Sequence, residues 1–91
     1  MSLNRRNPAR DLNEAEIVDA LFTAGCFVSR ISGPGVPDLL VGHQGRWILM
    51  EVKHKTGTLT PKQIEWWDAA TGLDLPIEVV RSAEEALALL V

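Results

Sequence analysis

The chain has 91 residues, 46% of them hydrophobic and 23% charged, with a net charge of −3. That length allows one small core that would gain from dimerisation, and no stretch approaches the ~20 apolar residues of a membrane span. The acidic balance excludes nucleic-acid binding through bulk charge, so any such contact must come from the local placement of lysine and arginine.

Residues 1–10, with Arg5, Arg6 and Arg10, read as a flexible basic arm, and residues 11–91 as one domain. No apolar secretory segment opens the sequence, and the single cysteine, Cys26, cannot form an internal disulfide, so a cytoplasmic location is expected. From Asn13 to Ala24 the apolar residues Ile17, Val18, Leu21 and Phe22 recur at helical spacing, and Gly25 stops the helix. Residues 26–31 read as a strand. The loop "SGPGVPDLL" then leads into a second strand, Asp38 to Val41, and Gly42–Gly45 reads as a hairpin turn into a third strand, Arg46 to Lys53.

Thr60, Pro61 and Gln63 open a second helix, with Thr60 as the cap, Pro61 at the first helical position and Gln63 able to close a capping box. It ends near Gly72. Residues 77–81 form a last strand, and Ser82 with Glu85 caps a short final helix. The order αβββαβα predicts an α/β fold with a mixed central sheet flanked by helices.

Chemistry concentrates where the second and third strands meet. Glu51 and Lys53 share one strand face with Trp47 and Leu49, because side chains alternate with period two. Counting outward from the hairpin places Asp38 near Glu51 or Lys53. Two carboxylates beside an ammonium suit a hard divalent cation such as magnesium, which takes oxygen ligands and would polarise a phosphate and activate a water, with Lys53 as the nearby cation. On the first helix, Glu14 falls within the apolar stripe and Glu16 roughly opposite. A carboxylate facing the core is costly unless paired or metal-bound, so Glu14 joins the candidates. Trp66 and Trp67 point ~100° apart, so one is expected in the core and the other, Trp66, at an interface. His43 and His54 read as surface residues beside turns. Gly33 and Gly35 would let the backbone approach a phosphate.

The combination of Pro37-Asp38 with Glu51-Val52-Lys53 on the next strand resembles the PD-(D/E)XK nuclease signature. The first helix, "EAEIVDALFTAGCFVSR", resembles the opening of archaeal-type Holliday-junction resolvases. Within that superfamily the chain is most similar to the VRR-NUC group, small stand-alone phage and bacterial modules with a Gly-rich approach to PD, an EVK strand and a glutamine on the next helix. The likeness spans about residues 13 to 81. It implies a restriction-endonuclease-like fold and a homodimeric DNA endonuclease dependent on Mg2+ or Mn2+ that acts at branched DNA such as four-way junctions. It implies Asp38 and Glu51 as metal ligands, joined by the Val52 carbonyl and by Glu14, with Lys53 as the catalytic lysine and Gln63 close by.

Gln63 therefore has two readings, the capping box and the active site. Arg30, Lys55 and Lys62 are candidate DNA contacts. Flaps, nicks and duplex ends are alternative targets, and a non-catalytic DNA-binding module of the same fold is the alternative from another class.

Overall fold

Burial at every third or fourth residue of the first helix, and of alternate residues Leu39 and Val41, then Ile48, Met50 and Val52, in the two central strands, generates the architecture. The computed structural model describes residues 13–91, so the arm read at residues 1–10 lies outside the described residues. The elements are α1 (Glu14–Thr23), β1 (Phe27–Arg30), β2 (Leu39–His43), β3 (Arg46–Val52), α2 (Pro61–Thr71), β4 (Glu78–Val80) and α3 (Ala83–Ala88). This is the expected αβββαβα order. One mixed sheet runs β1-β2-β3-β4, antiparallel except for the parallel β3–β4 pair.

α1 buries Glu14, Ile17, Val18 and Leu21 on a single stripe. It stops at Gly25, whose φ of 88° is left-handed; Gly25 N–H donates to the Phe22 carbonyl and Cys26 N–H to the Leu21 carbonyl, each at 3.0 Å. That pair of bonds is the Schellman motif, which glycine makes cheap. α1 and α3 cover one sheet face, where Ile17, Leu21, Leu39, Val41, Met50 and Val80 are fully buried. Cys26 belongs to this core, and burial pushes its thiol pKa up. Phe22, read as part of the stripe, is 57% exposed, because it lies at the edge of the stripe, ~40° beyond Val18 and ~100° from the fully buried Leu21.

The hairpin is tighter than the glycines suggested. Gly42 and His43 belong to β2, and the turn is Gln44–Gly45, with φ of 48° and 82°. Two successive positive φ values define the type I′ turn whose twist matches the flanking strands. Gly42 lies under Trp47, opposite it on β3, so its glycine character serves a side chain resting over the sheet rather than a turn.

No helix among the described residues is long and apolar enough to cross a membrane. The buried stripe of α1 predicts that Leu21→Ala lowers unfolding free energy by ~2–5 kcal/mol. Urea unfolding checks this, with a lower midpoint at an unchanged m-value expected.

Candidate active site

Pro37 is fully buried and has no N–H to donate, so regular pairing of β2 begins only after it. Asp38 then ties three strands together. Its carbonyl accepts the Ile31 N–H at 2.9 Å and its N–H donates to the Met50 carbonyl at 3.1 Å. Its Oδ2 accepts the Val52 N–H at 2.8 Å. The side chain thus takes a donor that a ladder carbonyl would otherwise receive. The register ends with Leu39 paired to Met50, and Asp38, just beyond that last pair, also gives its N–H to the Met50 carbonyl, so the regular ladder is broken at Asp38 beside the Met50–Val52 end of β3.

Glu51 is 3% exposed, and its Oε2 accepts the Gln63 amide at 2.9 Å. The Lys53 ammonium lies 3.8 Å from the same oxygen, with only 13% of the lysine side chain exposed. Gln63 closes the capping box and also reaches Glu51. Its Oε1 accepts the Thr60 N–H at 2.9 Å, its N–H donates to Thr60 Oγ1 at 3.2 Å, and its amide nitrogen reaches Glu51. A capping box fixes the rotamer that delivers the amide to the carboxylate.

Glu14 is 4% exposed and Glu16 is exposed, as the helical wheel requires. Arg30 Nε donates to Glu14 Oε2 at 2.8 Å while much of its own side chain stays in solvent. Lys55 and Lys62 are exposed on either side of the loop that joins β3 to α2.

The loop before Asp38 does something its composition did not show. Val36 N–H donates to the Gly33 carbonyl at 3.1 Å, closing a turn with Pro34 and Gly35 at its centre; Gly35 has φ of 76°. This is a type II turn. A methyl group added at Gly35 would strike the Lys62 carbonyl. Gly35 therefore lets the loop press on the first turn of α2, the turn that carries Gln63.

Two positioning residues escaped the sequence reading. Asn13, at the N-cap of α1, makes no capping bond; its amide donates to the carbonyls of Lys53 at 3.2 Å and Arg81 at 2.9 Å. It thereby pins the end of β3 and the residue after β4 to the helix bearing Glu14. Arg81 donates to the carbonyls of His54 at 2.7 Å and Gly57 at 2.9 Å, shaping the loop that follows Lys53. Neither residue sits in a motif, because each acts through main-chain carbonyls distant in sequence. His43 is half-buried rather than at the surface, and Trp66 and Trp67 are both half-buried, so neither tryptophan is a core residue.

Among the described residues, no group of three or more His, Cys, Asp or Glu side chains forms a ready metal cluster. Asp38 and Glu51 are hard oxygen donors on adjoining strand ends, and one or two carboxylates are what a magnesium site normally takes from a protein. The donor set fits a hard divalent ion whose remaining positions are filled by water and phosphate oxygens.

No protein-family model and no curated protein matches the chain. The order of elements and the four-stranded mixed sheet flanked by helices are consistent with a restriction-endonuclease-like α/β fold. A solved structure described as a VRR_NUC domain matches with a TM-score of 0.69 over 87% of this chain and 95% of its own, at 23% sequence identity. The chain has the fold of a VRR_NUC domain, as the resemblance in its sequence implied.

The contact between Gly35 and α2 predicts that Gly35→Ala destabilises by ~1–3 kcal/mol, since the neighbour to be displaced is backbone. Pro34→Ala, which forces no new contact, should cost ~1 kcal/mol or less. Thermal melts of the two variants compare these values.

Proposed function

We propose that this chain is a VRR-NUC nuclease of the PD-(D/E)XK type, a divalent-metal-dependent DNA endonuclease that hydrolyses phosphodiester bonds at branched DNA. The observation that carries the reading is the convergence of Asp38, Glu51, Lys53 and Gln63 at one end of the sheet. Folding alone does not call for two acids and a lysine in one half-buried place, and their neutralisation by an ion and a phosphate gives them a common purpose.

Asp38 and Glu51 would hold Mg2+ or Mn2+, joined by the Val52 carbonyl and by Glu14 directly or through water. The ion supplies charge stabilisation at the phosphate and an acidified water. Lys53 stands where it can orient the attacking water and offset negative charge gathering on the phosphate oxygens. Gln63 holds the Glu51 carboxylate in one orientation while α2 is capped by the same side chain. Attack of water on phosphorus breaks one P–O ester bond, leaving a phosphate on one DNA end and a hydroxyl on the other.

Arg30, Lys55 and Lys62 contact phosphates beside the cleavage centre. With few basic groups and a net charge of −3, binding is salt-sensitive and depends on shape more than on bulk attraction. A homodimer doubles those contacts and sets two centres at a fixed separation, which suits a four-way junction.

The test is cleavage of labelled four-way junction, flap, nicked and linear duplex DNA with Mg2+, Mn2+ or chelator. Wild type should cut branched DNA only with metal, and Lys53→Ala should lower the rate at least ~100-fold with its circular dichroism unchanged. Binding without cleavage of any substrate would favour the non-catalytic module instead.

A further inference from the structure

The far end of the same sheet face carries a feature that the cleavage centre does not use. Phe27, Gly42 and Trp47 form one cross-strand row over β1, β2 and β3. The six-membered ring of Trp47 rests over Gly42, whose missing side chain makes the room: a Cβ there would lie 3.1 Å from Trp47 Cζ3. Phe27 meets the indole edge-on, with ring centroids 5.7 Å apart and an interplanar angle of 77°. Both aromatics nevertheless remain open to solvent, Trp47 at 65% and Phe27 at 57%. A tryptophan supported from below and braced at its edge, yet exposed, has little to gain from the fold.

The surroundings indicate what it faces. An open hollow of about 450 Å³ lies at this hairpin tip, and its lining includes Phe27, Trp47, His43 and Arg46 but no acidic residue. Arg46 spends one N–H on the Leu89 carbonyl, and a guanidinium has five N–H donors. A ring that stacks and a cation for phosphate on the rim of one hollow match the chemistry of a nucleotide.

Position links this place to the reaction. Trp47 and Glu51 share one face of β3 and stand four residues apart, ~13 Å at the rise of a strand. That is about four base steps of a stacked strand, at ~3.4 Å each.

We propose that Trp47, supported by Gly42 and Phe27, is a stacking platform for an unpaired nucleobase of the DNA substrate, with Arg46 contacting the adjoining phosphate. The inference rests on the nuclease reading for the identity of its ligand and deepens it, since it names the structural feature of DNA that the enzyme selects. Paired bases are sealed within the duplex stack, so the platform favours substrates with unpaired nucleotides close to the cut.

The experiment is fluorescence anisotropy in chelator, using a labelled oligothymidylate and a blunt duplex of equal length, with wild type, Trp47→Ala and Trp47→Phe. Trp47→Ala should weaken oligothymidylate binding about five- to 150-fold, the range of single base–aromatic stacks, and leave the duplex unchanged. Trp47→Phe should restore most of the loss. Equal loss on both DNAs, or none on either, overturns the platform. Sedimentation at the same concentrations covers the remaining use of an exposed aromatic face: if Trp47→Ala turns a dimer into a monomer, the row is a subunit contact and the proposal fails. Because binding is read without metal, a platform effect in a protein that cuts nothing supports this inference while removing the nuclease reading. Normal cutting with no effect of Trp47 does the reverse.

Discussion

The bond from the Val52 N–H to Asp38 Oδ2 is the constraint on which the site depends. Backbone pairing between β2 and β3 has to end somewhere, and an ending normally leaves an N–H for solvent. Here Pro37 blocks continuation and the Asp38 carboxylate accepts the donor, so the proposed metal ligand is also a structural residue. The consequence is positional accuracy. One carboxylate is locked to the main chain beside Glu51, and Glu51 is in turn held by a glutamine whose own rotamer is fixed by the cap of α2.

Electrostatics explains why so much support is needed. Glu14 and Glu51 are almost wholly buried, and an ionised carboxylate in that position is costly without compensation. Arg30 answers Glu14, and Gln63 with Lys53 answers Glu51. At 3.8 Å the Lys53 contact is longer than a direct hydrogen bond, which leaves the ammonium room to serve a second anion. Asn13 and Arg81 stabilise the same region through carbonyls, so the strand end that carries Lys53 is fixed from two directions.

What could be read in the sequence was whatever obeyed a period or a local rule. The helical wheel separated Glu14 from Glu16, alternation put Glu51 on one face with Trp47, and the Thr60 cap was legible because its partners lie within one turn. Gly42 was misread and the packing role of Gly35 missed for a common reason: a glycine announces freedom of conformation or of space, but the neighbour that requires it lies elsewhere in the chain. Gly35 makes way for the backbone of α2 and Gly42 for the indole of Trp47. Asn13 and Arg81 stayed hidden because their partners are main-chain groups up to 68 residues away, and no pattern in sequence marks a carbonyl.

The central claim is that Asp38 and Glu51 together form a cation site. Titration of Mn2+ followed by electron paramagnetic resonance tests it without DNA, comparing wild type with Asp38→Asn, a change that keeps an oxygen available for the Val52 N–H. The account predicts saturable binding to wild type that Asp38→Asn weakens at least ~10-fold while the protein stays folded. Equal binding to both, or none to wild type, would contradict it.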